Sequence, residues 1–210
     1  MPVIRHPNRS ALDWRGAVVK RFDCLKLLAS WIDDQVLTVT SLSTTAREWS
    51  SLWKRGPNFF GLNLGLCLPF AMGLSLAFPR RKVIALDSDG SLLLDTSSLI
   101  TVAEVNPPNL LAIVFDNQCY GRMGSTATSR KADLEKIAQG AGITVTATLQ
   151  TVEQFASSVK KALDRSELSF FVAKVEPGKE PIENDYMRFD GRPVRDAFVE
   201  ALRRYPDYRD

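Results

Sequence analysis

The sequence predicts an α/β domain: a doubly wound, mainly parallel sheet covered by helices on both faces. Three observations carry this. Two unbroken apolar runs, Lys82–Leu86 and Leu110–Phe115, have the length and residue types of strands buried on both sides. Between them Leu92–Val105 has helical length and is stopped by Asn106-Pro107-Pro108. The same alternation of strand and helix then continues to Val175, as a parallel sheet built from βαβ units requires.

Taken in order, residues 1–16 read as a polar N-terminal arm, 17–176 as one folded domain and 177–210 as a C-terminal extension. Ala17–Asp34 is an amphipathic helix with Val18, Phe22, Leu25, Leu28 and Ile32 on one face. Gln35–Thr40 is a β-rich run. Ser41–Asn58 is polar, with a turn at Gly56-Pro57. Phe59–Phe78 is almost unbroken apolar and about long enough to cross a bilayer, with basic residues at both ends. Asn63 and Pro69 interrupt it, however, and Pro79-Arg80-Arg81 leads straight into a buried strand. It is therefore predicted as one glycine-rich apolar helix packed between the sheet and a partner subunit, not as a membrane span. After the strand Lys82–Leu86, the helix Leu92–Val105 and the strand ending at Phe115 comes a glycine-rich loop, Gly121–Arg130. Ala132–Gly140 is helical, Ile143–Ala147 a short strand, Val152–Asp164 a helix and Ser169–Val175 a strand. The tail from Glu176 is rich in charge and proline, with a last helix at Val194–Arg203.

Composition narrows the function. The chain has 210 residues, 45% of them hydrophobic, enough for one domain of about 150 residues with extensions. A formal net charge of +3 argues against a general nucleic-acid binder. The three cysteines, Cys24, Cys67 and Cys119, are widely spaced and form neither a metal pattern nor a disulfide framework. With no signal-peptide core at the N-terminus, a reducing, cytoplasmic setting is expected.

The chemistry concentrates at two strand ends. Asp87-Ser88-Asp89-Gly90-Ser91 follows the first buried strand, and Asn117 follows the second. In neighbouring parallel strands, a carboxylate and a carboxamide converge at the carboxyl edge, where ligand crevices of open α/β sheets lie. Hard oxygen ligands there suit Mg²⁺ or Ca²⁺ holding a phosphate. Taken singly, Asp89-Gly90 is an ordinary turn and Asn117 an ordinary strand-end cap. Together, with Ser91 at a helix mouth and Gly90 allowing close backbone approach, they read as a metal-bridged diphosphate site.

Asp89-Gly90-Ser91 through Asp116-Asn117, with Tyr120-Gly121 beyond, resembles the GDG…NN signature of thiamine-diphosphate enzymes. The resemblance implies the thiamine-diphosphate-binding fold and a ligand set for Mg²⁺: the side chains of Asp89 and Asn117 and the main-chain carbonyl of Cys119. It implies that Gly90, Ser91 and Tyr120 meet thiamine diphosphate. Leu66 matches the bulky residue that imposes the bent cofactor conformation. Leu64 matches the residue whose carbonyl accepts from the cofactor's 4′-amino group. Pro57-Asn58-Phe59-Phe60 through Gly73–Pro79 is similar to the RPxNFY…GLGLAL-P segment of sulfopyruvate decarboxylase β subunits and phosphonopyruvate decarboxylases, and the likeness runs from about Phe22 to Val175. There are departures. Ser88 replaces the first motif glycine, and Cys67 replaces the small residue preceding the helix bend. Met123–Thr128 stands where that branch has TGGQPT, with Thr126 in place of the Gln.

The family's catalytic Glu belongs to a separate pyrimidine-binding domain. Glu48 and Glu104 lie in the wrong segments for it, and His6 sits in the arm. The resemblance therefore implies a β-type subunit of a two-component 2-oxo acid decarboxylase. Its partner is an α-type pyrimidine-binding subunit in a heterotetramer or larger complex, its substrate a small 2-oxo acid, and it has no nucleic-acid or membrane partner. Arg122 and Arg130 are candidates for pairing with an anionic substrate group. The alternatives are an acetolactate-synthase-like carboligase subunit, and a non-catalytic cofactor-binding or regulatory subunit.

Overall fold

The two apolar runs become adjacent strands at the centre of a six-stranded, wholly parallel sheet. The computed structural model describes residues 19–121, 123–182 and 191–208. The elements run α1 (Arg21–Trp31), β1 (Leu37–Ser41), α2 (Thr44–Leu52), β2 (Asn58–Leu62), α3 (Cys67–Ala77), β3 (Val83–Ser88), α4 (Asp89–Leu92), α5 (Ser98–Val105), β4 (Leu110–Asp116), α6 (Leu134–Ala141), β5 (Val145–Leu149), α7 (Val152–Leu163), β6 (Ser169–Lys174) and α8 (Gly191–Arg203). A single 3₁₀ turn, Ala127–Ser129, lies between β4 and α6. The strand order is β2-β1-β3-β4-β6-β5.

Alternation along each strand builds two cores. Val83, Ala85, Leu110, Ala112 and Val114 face one side, where Leu68 and Ala71 of α3, Leu99 and Val102 of α5, Ala138 of α6 and Phe198 of α8 cover them. Ile84, Leu86, Leu111, Ile113 and Phe115 face the other, under Leu25 and Leu28 of α1, Trp49 of α2 and Phe155 of α7. A strand buried on both faces cannot alternate with polar residues, which is why these strands read as solid apolar runs. The chain after β6 is tied in as well. Arg21 donates to both carboxylate oxygens of Glu48, from Nε at 2.7 Å and from Nη2 at 2.9 Å, and also to the Gly178 carbonyl at 3.0 Å. Arg81 pairs with Asp207 at 2.6 Å.

Three segments differ from the sequence expectation. Ser41–Asn58 contains α2. Ser43 caps it by accepting from the Thr45 N–H at 3.1 Å, and buried Trp49 donates from Nε1 to Thr38 Oγ1 at 2.9 Å. Phe59–Phe78 is not one helix: Asn58–Leu62 pairs with β1 as an edge strand, and only Cys67–Ala77 is helical. Gly61 and Gly65 hold φ of 71° and 88°, a left-handed backbone that no helix tolerates. Pro69 falls in the first turn of α3, where a missing N–H costs nothing. Leu92–Val105 is not one helix either: α4 ends at Leu92 and only Ser98–Val105 is α5. Asp95 Oδ1 accepts from Ser97 Oγ at 2.6 Å and from the Ser98 N–H at 3.3 Å, and this side-chain turn competes with a continuous helix. Among the described residues no helix is long and apolar enough to cross a membrane. The N-terminal arm with His6, and Arg122, lie outside the described residues.

Candidate cofactor site

Register brings the predicted ligands together. In the β3–β4 pairing, Asp87 is opposite Val114 and Ser88 opposite Phe115, so Asp89 and Asp116-Asn117 leave the sheet side by side. Asp89, 1% exposed, opens α4. Its Oδ2 accepts from Thr126 Oγ1 at 2.6 Å and Thr128 Oγ1 at 3.2 Å. Its Oδ1 is buried and has no hydrogen-bond partner among the described residues. Burial, and then the neighbouring Asp116 charge, pushes the Asp89 carboxyl up to about 7. Proton supply agrees with this. The two threonine hydroxyls, 2.7 Å apart, contact Asp89, Asp116 and each other, yet carry only one hydrogen each.

Asp116 is fully buried and committed. Its Oδ1 accepts from the Gln118 N–H at 3.0 Å and Thr128 Oγ1 at 2.8 Å. Its Oδ2 is ion-paired with Lys174, its register partner on β6. Asn117 Oδ1 accepts from the Cys119 N–H at 3.0 Å, which fixes the carboxamide. A carboxamide oxygen has two lone pairs, so one remains for a cation. Beyond it the chain folds back as a short hairpin. The Tyr120 N–H donates to the Gly124 carbonyl at 2.8 Å and the Thr126 N–H to the Gln118 carbonyl at 3.0 Å, on either side of the Cys119–Ser125 pair.

The remaining predicted residues take definite places. A Cβ at Gly90 would lie 2.6 Å from Tyr120 Cε1, so the space left by Gly90 is filled by the tyrosine ring. Ser91 is fully buried, and its Oγ accepts from the Gly65 N–H at 3.1 Å. That bond anchors the loop between β2 and α3, which carries Leu64 and Leu66, 41% and 48% exposed. Leu94 and Ile100, in the neighbouring α4–α5 segment, are exposed too. Glu48 is held by Arg21 and Glu104 is exposed, so neither stands with Asp89 as an acid–base group, while Arg130, the candidate anion partner, is exposed just after the turn that carries Thr128.

Sequence reasoning missed Thr126 and Thr128 as partners of Asp89, Lys174 as the partner of Asp116, and the N-terminus of α2. Only the last had a local signal, Ser43-Thr44-Thr45 before Trp49. Its first-turn N–H groups face the same sheet edge as Asp89, at the point where β1 and β3 send their connections in opposite directions. Asp87, two residues earlier on β3, has an Oδ2 without a hydrogen-bond partner among the described residues, and burial raises its pKa.

The donor set fits a hard cation bridging a phosphate. It offers one buried, otherwise unpartnered carboxylate oxygen and one oriented carboxamide oxygen. No group of three His, Cys, Asp or Glu that could hold a metal occurs among the described residues. A cation bound here would have few protein oxygens and would need phosphate or water to complete its shell, as Mg²⁺ commonly does.

Residues 43–173 match the thiamine pyrophosphate enzyme, C-terminal TPP binding domain. The chain is 31% identical over 188 residues to the sulfopyruvate decarboxylase subunit beta of Methanocaldococcus jannaschii, covering 88% of this chain and 98% of that one. It is 26% identical over 178 residues to the phosphonopyruvate decarboxylase of Streptomyces hygroscopicus, covering 84% of this chain and 43% of that protein. The solved benzoylformate decarboxylase from Polynucleobacter necessarius superposes with a TM-score of 0.68 at 18% identity, over 85% of this chain and 36% of that one. The chain thus spans under half of the last two proteins and nearly all of the first.

Proposed function

Because this chain belongs to the thiamine pyrophosphate enzymes, we propose that it is the β-type subunit of a thiamine-diphosphate-dependent 2-oxo acid decarboxylase of the sulfopyruvate or phosphonopyruvate decarboxylase kind. The observation that carries the site assignment is the buried, unpartnered Oδ1 of Asp89 beside the oriented carboxamide of Asn117. Near full-length similarity to a sulfopyruvate decarboxylase β subunit supports the subunit assignment.

In this proposal Asp89, Asn117 and the Cys119 carbonyl hold Mg²⁺. The main chain at Gly90 and Ser91 and the first turn of α2 receive the diphosphate, and Tyr120 closes the site against Gly90. Leu66 supports the cofactor's centre, and the Leu64 carbonyl accepts from its 4′-amino group. Thiamine diphosphate, when bound, supplies the nucleophilic carbon and the electron sink that decarboxylation of a small 2-oxo acid needs. This chain's own part is to bind, orient and exclude water. The proton-transferring Glu comes from a separate pyrimidine-binding α-type subunit, in a heterotetramer or larger cytoplasmic complex. Exposed Leu64, Leu66, Leu94 and Ile100 offer that subunit an apolar surface.

Calorimetric titration of Asp89→Ala with thiamine diphosphate and Mg²⁺ tests the site. Loss of cation-dependent cofactor binding with the far-UV spectrum retained is expected, and unchanged affinity would refute the metal assignment. Co-purification should bring down a second chain, with decarboxylase activity only in the pair.

A further inference from the structure

The cation site contains two buried carboxylates, and only one of them is left with an oxygen to give. Asp89 and Asp116 are 1% and 0% exposed, and one hydroxyl, Thr128 Oγ1, touches both. Both oxygens of Asp116 are taken, Oδ1 by the Gln118 N–H and Thr128, Oδ2 by the Lys174 ammonium. Asp89 Oδ2 is taken by Thr126 and Thr128. Among the described residues, Asp89 Oδ1 is the one of these four carboxylate oxygens without a partner.

Resting on the cofactor assignment above, we propose that Thr126 and Thr128 are positioning residues for the cation. They grip Oδ2 of Asp89 so that Oδ1 alone is turned to the metal, and Thr128, sharing its one hydrogen between Asp89 Oδ2 and the nearer Asp116 Oδ1, ties Asp116 back so that it stays out of the metal shell. Two features suit them to this. The Thr126 hydroxyl comes from the end of the 118–126 hairpin and the Thr128 hydroxyl from the 3₁₀ turn that follows it, and both reach Oδ2, so Oδ1 stays buried without a partner among the described residues. Threonine is stiff about χ1, so a buried hydroxyl on it holds one direction. Partners of this kind orient metal ligands, and their loss weakens metal binding by about 10- to 100-fold.

The test uses the full chain in complex with the subunit that co-purifies with it. Mn²⁺ binding in the presence of thiamine diphosphate is followed by paramagnetic resonance, with Asp89→Ala run in parallel. Thr126→Val keeps the shape and removes the hydroxyl, and should weaken Mn²⁺ binding by about 10- to 100-fold. Thr126→Ser keeps the hydroxyl and should bind within about threefold of the unmodified chain, a rescue that a merely space-filling role does not produce. If Thr126→Val does not fold, Thr128→Val carries the same expectation. Retained Mn²⁺ affinity in the valine variant, with affinity lost in Asp89→Ala, overturns the positioning role and leaves the cation site standing. Retained affinity in Asp89→Ala overturns the cation site and the inference with it.

Discussion

Replacing Asp89 by Asn should make the cation-free chain more stable, by an amount that grows with pH. Burial and the Asp116 charge lift the folded-state pKa of Asp89 from 3.8 to about 7. Below the lower value the carboxyl is protonated in the folded and the unfolded chain alike. Between the two values only the folded chain keeps the proton, so stability falls as pH rises through this window, and above about 7 the loss is complete. At about 1.4 kcal/mol per unit, the ceiling on that loss is about 4 kcal/mol. Asparagine is isosteric, accepts the same threonine hydroxyls through its oxygen, and does not titrate. Urea denaturation of both proteins with chelator present should give nearly equal stabilities at the acid end and a gap of about 2–4 kcal/mol at the alkaline end. Asp87 is also raised by burial and titrates in the same direction, but both proteins contain it, so it cancels in the difference. Adding Mg²⁺ and thiamine diphosphate should then stabilise only the parent chain, since a ligand stabilises the form that binds it. Curves that run parallel across the whole window would refute the idea that Asp89 is held charged against its surroundings for the sake of a cation.

Two further perturbations address the frame of the site. Gly90→Ala would put a Cβ 2.6 Å from the Tyr120 ring. It should cost about 1–3 kcal/mol through displacement of that ring, and a cycle with Tyr120→Ala should show most of this as coupling, whereas additive effects sink the close-approach account. Arg21→Met leaves buried Glu48 with only the Glu180 N–H, at 3.2 Å, among its present donors. It should cost about 3–5 kcal/mol by urea denaturation, and Arg21→Met combined with Glu48→Met should recover most of that; a single-variant loss under about 1 kcal/mol contradicts it.

What the sequence made legible follows from how each element is buried. β3 and β4 were visible because both faces of each are covered, which leaves an unbroken apolar run ending in the polar residue that leaves the sheet. The same solidity hid the break in Phe59–Phe78. An all-apolar run has no period to read, and the break between β2 and α3 is made by the left-handed backbone at Gly61 and Gly65. α2 was hidden for the opposite reason. Its buried face includes Glu48, which looks like a surface charge until Arg21, 27 residues away, is seen to neutralise it.

The candidate site divides along the same line. Asp89 and Asn117 could be found because the pairing of two consecutive parallel strands suffices to bring them together. Thr126 and Thr128 could not, because their contact with Asp89 spans 37 and 39 residues and depends on a hairpin whose closing bonds are made by main-chain atoms. Gly90 was read as room for a phosphate, and the occupant of that room is Tyr120. Asp116 shows most clearly what register adds. In the sequence it stands beside Asn117, one residue nearer the strand, and nothing there tells the part of its carboxylate from that of Asp89. In the fold its neighbour on β6 is Lys174, which neutralises it at the sheet edge, while among the described residues no cation is paired with Asp89. The strand order therefore decides which carboxylate is free to meet a metal, and the strand order cannot be read from either strand alone.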